Sequence, residues 1–230
     1  MEARESAIAP LGLSLEHAVF MEQPHGAAVA EVGVADRGRG STRHEEALPG
    51  MDALLTRETD VALVVMVADC APVLICDPGV SVAAVHAGRR GTTLDVVGAT
   101  LDAMAPAEPD AVAAVVGPAI GGCCYEVPDW LADEVVAEVP SADARTTWGS
   151  RSLDLPGAVV TRLREKGVGR IARIEACTAC DERGWFSHRA SPGVGRQAGV
   201  VGRRSRGGHV SASGEAPRFG HLSRFLDWEQ

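Results

Sequence analysis

Residues 61–92 read VALVVMVADCAPVLICDPGVSVAAVHAGRRGT, and the fold turns on this stretch. Residues 61–67 form an unbroken apolar run, short and β-branched, and 72–76 and 80–85 are two more. Runs of this length read as strands buried on both faces. Asp69 and Cys70 fall where the first run stops, and His86 closes the third. Ala87-Gly88-Arg89-Arg90-Gly91-Thr92-Thr93 follows, a flexible basic turn that opens a helical pattern at Leu94. Open α/β sheets bind ligands at such strand-to-helix turns. The turn suits an anion such as phosphate: Gly88 and Gly91 let backbone N–H groups approach, Thr93 is placed to cap the helix, and Arg89 and Arg90 supply charge.

Working outward, residues 1–20 read as an amphipathic helix fragment running into an extended stretch at 19–21. Gln23-Pro24-His25-Gly26 makes a turn before a strand at 27–34, and 35–49 is a polar loop. Residues 52–56 precede the first central strand. Apolar residues at 94–104 recur at helical spacing, and 111–116 is a strand that runs into Gly117-Pro118-Ala119-Ile120-Gly121-Gly122. Residues 130–139 and 156–166 read as helices, the second with Pro156 in its first turn and Gly167 at its end. Residues 171–176 are a strand, and 185–188 a further short one. From Gly202 the composition turns to Gly, Ser and Arg without periodicity, so 1–202 is read as the folded unit and 203–230 as a disordered tail whose Phe225-Leu226-Asp227-Trp228 is able to dock on a surface.

The 230 residues, 46% of them hydrophobic, suffice for the core of one domain. A net charge of −9 with no basic, aromatic-interleaved stripe before the tail points away from duplex nucleic acid and towards a small-molecule partner. The start lacks a signal-peptide pattern and the longest apolar stretch is broken by Asp69 and Pro72, so a cytoplasmic protein without a membrane partner is expected. No Walker or dinucleotide glycine fingerprint supports a kinase or dehydrogenase. Six cysteines in such a chain are read as reduced thiols. Cys76 is read as packing, Cys123-Cys124 as structural or pocket-lining, and the redox-type spacing of Cys177 and Cys180 lacks the helix a thioredoxin-like motif needs.

His25 sits in a tight turn, where the backbone can hold a ligand. With Cys70 and His86 it completes two imidazoles and a thiolate, a three-ligand set for Zn²⁺ that leaves a fourth position to water. Each of the three is equally an ordinary polar residue at a strand end. Asp69 is placed to orient a ligand or act as a base, or to be a surface carboxylate like Asp52.

The motifs QPHG (23–26), DALLT (52–56), ADCAPVL (68–74), HAGRRGT (86–92), GPAIGGCCYEV (117–127), CTACD (177–181), FSHR (186–189) and GRQAGVV (195–201) occur in the order and spacing of one family. From about residue 11 to 201 the chain resembles the YfiH-like family, also called the multicopper polyphenol oxidase or laccase-domain family. The resemblance implies an α/β chain, a single-domain α/β/α layered fold with a mixed central sheet, and zinc held by His25, Cys70 and His86. It also implies phosphorolysis of adenosine, inosine, guanosine or methylthioadenosine and deamination of adenosine, with a link of bacterial members to peptidoglycan editing. On this reading zinc lowers the pKa of water for attack at C6 of adenine, with Asp69 carrying a proton. Phosphorolysis needs a cationic pocket beside the metal, for which Arg90 and the 88–93 turn are the first candidates and Ser187, His188 and Arg189 the second. A monomer or small homo-oligomer is expected.

Departures from the family pattern are specific. Arg89 stands where an aromatic is usual, Pro24 precedes the ligand histidine, and Ala179 and Ala190 replace an aromatic and an arginine. The pattern normally starts roughly fifty residues earlier, room for one or two more elements, and a start codon assigned too late is the expected reason; the alternative is a truncated member, even an inactive binding protein. Two other chemistries use the same residues: a cysteine hydrolase on peptidoglycan precursors with Cys70 as nucleophile, and a copper phenol oxidase, for which seven histidines, two of them in the tail and His17 and His44 in polar contexts, are few.

Overall fold

Apolar runs without polar alternation need partners on both faces, and the arrangement of layers supplies them. The computed structural model describes residues 2–203. In chain order the elements are α1 (Glu2–Ile8), β1 (Ala18–Phe20), β2 (Val29–Glu31), β3 (Ala53–Thr56), β4 (Ala62–Val67), β5 (Ala71–Asp77), β6 (Ser81–Ala87), α2 (Arg89–Thr93), α3 (Val96–Met104), β7 (Ala113–Val116), α4 (Asp129–Glu138), β8 (Asp143–Arg145), β9 (Arg151–Leu153), α5 (Leu155–Glu165), β10 (Arg170–Arg173) and β11 (Gln197–Gly202). Six strands form a mixed sheet in the order β10-β7-β5-β6-β3-β2, three more form a sheet β1-β4-β11, and β8-β9 is a hairpin.

The chain is an α/β protein, and its central layer is two stacked sheets. On one face of the large sheet Val73, Ile75 and Val85 pack against Val97, Leu101 and Met104 of α3 and Val159 and Leu163 of α5. On the other face Leu54, Leu74 and Val82 meet Leu63, Val65 and Val67 of β4. The outer face of β4 is covered in turn, Val64 lying with Phe20 and Val200 under Ile8 and Leu11. Successive residues of a strand point to opposite faces, so β4, and β5 up to Cys76, are apolar because each lies between two apolar layers.

Several expectations are corrected. Residues 52–56 do not merely precede a central strand; β3 is itself one, antiparallel to β6. Thr93 does not cap the long helix: its hydroxyl donates to Arg90 O at 2.8 Å, while Asp95 in a left-handed conformation accepts from Gly98 N. Residues 185–188 are not a strand, because the Gln197 side chain takes the place of a ladder, bonding Phe186 N and O at 3.0 and 3.2 Å. Arg203, assigned to the tail, is held: its carbonyl accepts from Asp60 N and its guanidinium donates to Gly79 O. The rest of the tail lies outside the described residues. Among the described residues no helix is long and apolar enough to cross a membrane.

Candidate metal centre

Strand register brings the site together. Cys70 immediately precedes β5, and β5 pairs with β6 so that Ala71 faces Ala87 and Pro72 faces His86. Asp52 immediately precedes β3 and its carbonyl accepts from His86 N at 2.8 Å. The turn at 23–26, between β1 and β2, is pinned by Gln23, whose amide exchanges hydrogen bonds with Met66 N (2.9 Å) and Met66 O (2.6 Å). Gln23 and His25, at φ 63° and 64°, are both left-handed, a conformation that a non-glycine residue keeps only where its surroundings hold it.

His25, Cys70 and His86 thus converge, with their ligand atoms all within 4.8 Å of one another. The His25 Nε2 and Cys70 Sγ are 3.6 Å apart, and the two imidazoles meet edge to face at 4.7 Å between centroids. His25 is exposed, Cys70 half-buried and His86 buried. Behind them Asp52, fully buried, accepts from His25 N (2.9 Å), Gly26 N (2.6 Å) and His86 Nδ1 (2.8 Å). A carboxylate only accepts, so Nδ1 of His86 is the donor and Nε2 is the nitrogen left for a metal. This is how a carboxylate orients a ligating histidine. Burial opposes ionisation of Asp52, but the bonds from His86 and the Gly26 and His25 N–H groups prevail and hold its carboxyl below the ordinary value.

The space between the three side chains fits a cation. Gly88 leaves room: a Cβ there would lie 2.7 Å from His25 Cδ2 and 3.0 Å from Cys70 Sγ. Burial first, then the Asp69 and Asp52 carboxylates, push the Cys70 thiol up to about 12; a thiol that ionises so reluctantly becomes a thiolate at neutral pH when a metal takes it. Burial and then His86 hold the His25 imidazole below its ordinary value, leaving it neutral, as a ligand must be.

The three residues open onto a cavity of about 790 Å³ whose wall includes Arg89, Arg189, Arg196, His188, Tyr125 and Asp69. Arg189 and His188, expected at the site, are there, the Arg189 guanidinium stacking 5.0 Å over the Tyr125 ring. Arg90 and Ser187 are not. Arg90 is exposed on α2 and its neighbour Arg89 faces the cavity instead, since consecutive helical residues point about 100° apart. Ser187 is buried, and its hydroxyl oxygen accepts from Ala190 N at 3.1 Å. Asp69 borders the cavity with both oxygens engaged, one by the Thr178 hydroxyl at 2.6 Å and one by Arg189 N at 2.7 Å. Sequence reasoning gave the 88–93 turn its charge through Arg89 and Arg90 without saying which faces the cavity, and it missed Asp52 as the orienting carboxylate, Arg196 as a facing cation and His44 as a cavity residue. Asp52 and Arg196 lie within the quoted motifs DALLT and GRQAGVV, but their roles arise from strand pairing and loop return, which the motifs alone do not show.

The family described as "Multi-copper polyphenol oxidoreductase laccase" matches residues 1–204. The protein of Streptomyces coelicolor named purine nucleoside phosphorylase SCO2081 is 42% identical over 202 residues, covering 86% of this chain and 80% of its own. The purine nucleoside phosphorylase Cgl2154/cg2365 of Corynebacterium glutamicum is 39% identical, with 83% and 76% covered. Among solved structures, YlmD from Geobacillus stearothermophilus superposes with a TM-score of 0.80 at 36% identity, covering 88% of this chain and 79% of that one. The hypothetical protein YfiH of Bacillus licheniformis gives 0.78 at 30% identity, with 87% and 79% covered. With the family pattern matched from end to end of the described fold, the chain belongs to the YfiH-like family, the one described as multi-copper polyphenol oxidoreductase laccases.

Proposed function

We propose that the chain is a zinc-dependent purine nucleoside phosphorylase that also deaminates adenosine, acting in the cavity above His25, Cys70 and His86. The observation that carries this reading is the junction of the His–Cys–His group with an arginine-rich cavity in a chain of net charge −9. About 790 Å³ lies within the range of small-ligand sites. Relatives at 42% and 39% identity carry the name purine nucleoside phosphorylase, and adenosine, inosine, guanosine and methylthioadenosine are the substrates proposed.

In phosphorolysis a phosphate oxygen bonds to C1′ as the bond from C1′ to the purine nitrogen breaks, and the base leaves with the electron pair and takes up a proton. Arg89, Arg189 and Arg196 are placed to hold the phosphate and to offset charge building on the sugar and base. Tyr125 and Ile120 give apolar wall for the nucleoside. His25, Cys70 and His86 would hold the zinc, which would supply Lewis-acid polarisation beside the cavity. Asp69, with both oxygens committed, is a positioning residue that ties Thr178 and Arg189 to the β4–β5 turn.

Two other chemistries find less support. A cysteine hydrolase needs a Cys70 thiolate without a metal, against a thiol pushed up to about 12. A multicopper oxidase needs more imidazoles than the two gathered in this ligand group. The test is zinc content together with phosphate-dependent release of base from inosine and adenosine, in wild type and Cys70→Ala. The expected result is turnover that requires phosphate and is lost with the metal in the variant. Turnover that ignores phosphate would overturn the phosphorylase assignment, and phosphate-dependent turnover that survives Cys70→Ala would overturn the dependence on zinc.

A further inference from the structure

A second group of ligating side chains lies away from the His–Cys–His centre. β7 and β10 are parallel neighbours, and their pairing continues beyond both strands as a bridge between Ala119 and Cys177, with Thr178 N donating to Ala119 O at 3.1 Å. Each strand therefore runs out into a loop beside the other, and each loop carries two cysteines. One turn is closed by Cys124 N and Tyr125 N donating to Gly121 O at 3.0 and 2.9 Å, the other by Cys180 N and Asp181 N donating to Cys177 O at 3.3 and 2.9 Å.

The four sulfurs of Cys123, Cys124, Cys177 and Cys180 all lie within 4.8 Å of one another, and none is cross-linked. A tetrahedron of sulfurs at the zinc–thiolate distance of about 2.3 Å has edges of about 3.8 Å; the Cys123 and Cys180 sulfurs are 3.8 Å apart. Gly121 N donates to Cys177 Sγ at 3.3 Å, the kind of outer contact that supports a metal thiolate. A Cβ on Gly121 would sit 3.2 Å from Cys123 Sγ and 3.6 Å from Cys177 Cβ, so this close approach favours glycine. Four soft ligands with no oxygen or nitrogen donor select a thiophilic ion, and four protein ligands around Zn²⁺ leave no open position for a substrate.

We infer that Cys123, Cys124, Cys177 and Cys180 form a structural zinc site, distinct from the His25–Cys70–His86 centre, that clamps a loop walling the cavity to the loop that holds Asp69. The clamp has a functional address. Ile120 and Tyr125 of the first loop line the cavity, and Thr178 of the second holds Asp69. Arg189 donates to Glu126 O at 2.9 Å while it stacks on Tyr125. The inference stands whatever the cavity turns over.

The test separates the two centres. A Cys70→Ala/His86→Ala protein, purified and then equilibrated with Zn²⁺ and dialysed, is expected to keep about one zinc per chain, with X-ray absorption showing four sulfurs at about 2.3 Å. Adding Cys123→Ser and Cys180→Ser is expected to abolish that zinc. Should a variant fail to fold, the wild-type chain answers the same question: about two zinc per chain, with more sulfur per zinc than the single thiolate of Cys70 can give. No zinc in the double variant, nitrogen or oxygen ligands on the zinc it holds, or disulfides among the four cysteines under reducing purification would each overturn the site.

Discussion

Asp52 does the work of three residues at the scale of a single side chain. Its oxygens fix the His25 turn through two backbone N–H groups and the His86 ring through Nδ1. Replacing it by Asn keeps the volume but puts an amide N–H₂ against donors that need an acceptor, a cost of about 1–3 kcal/mol for a buried unmet group. Zinc affinity of Asp52→Asn is expected to fall by roughly 10- to 100-fold, as for other outer carboxylates, measured by competition with a chelator; unchanged affinity would sink the orienting role. Acid acts on the same group. The folded pKa of His25 is lowered, so the unfolded chain binds more protons just below its value of 6.5, and the metal-free fold gains stability as pH rises to about 6.5 and none from this residue above it. Protons compete for His25 only below its lowered folded value, so the zinc affinity of wild type is expected to fall more steeply at acid pH than that of His25→Ala; equal slopes would argue against His25 as a ligand. His25, Cys70 and His86 were legible because each ends an apolar run or sits in a turn. Asp52 was not, since its meaning comes from His86, 34 residues away along the chain.

Among the elements, the strands of the central layer were legible from their apolar runs, and the pairing between them was not. β4 and β5 are adjacent in sequence yet belong to different sheets, and nothing in two apolar runs says which sheet each joins. The same gap hid which of the two arginines of the 88–93 turn faces the cavity, because α2 turns Arg89 to it and Arg90 to solvent. It also hid the four-thiol group, whose Cys123 and Cys180 stand 57 residues apart and meet only through the β7–β10 pairing. The turn at 23–26 offers a test of how far an element's anchoring carries function. Gln23→Ala removes both bonds to Met66 and is expected to cost about 1–3 kcal/mol with a concurrent loss of zinc affinity, because the left-handed His25 loses its support. Asp95→Ala is the control: it removes the cap of α3 and the bond to Arg162 Nε at 2.8 Å, with about 1–2 kcal/mol expected from the cap alone and no change in zinc binding. Urea unfolding and zinc titration of the two variants decide it; equal zinc affinities would show that the 23–26 turn does not depend on Gln23.

At the scale of the whole molecule, charge is distributed against its sum. The chain carries −9 overall, yet Arg89, Arg189 and Arg196 line one cavity. An acidic exterior repels a free anion at long range, and that repulsion is screened beyond about 8–10 Å at ordinary salt. Inside, the low-dielectric wall strengthens attraction between the guanidiniums and a phosphate. Phosphate and nucleoside should therefore respond differently to the same perturbations. Arg89→Ala is expected to raise the KM for phosphate roughly 10- to 100-fold, the loss of one charged hydrogen-bonding partner at about 1.5–3 kcal/mol, with a much smaller change in the KM for inosine. Added salt should raise the KM for phosphate further in wild type than in the variant, since the variant has less attraction left to screen. Initial rates of both proteins over a grid of phosphate and inosine concentrations at two ionic strengths measure both KM values in each case. If both KM values moved together, Arg89 would be shaping the cavity as a whole and the phosphate would bind elsewhere.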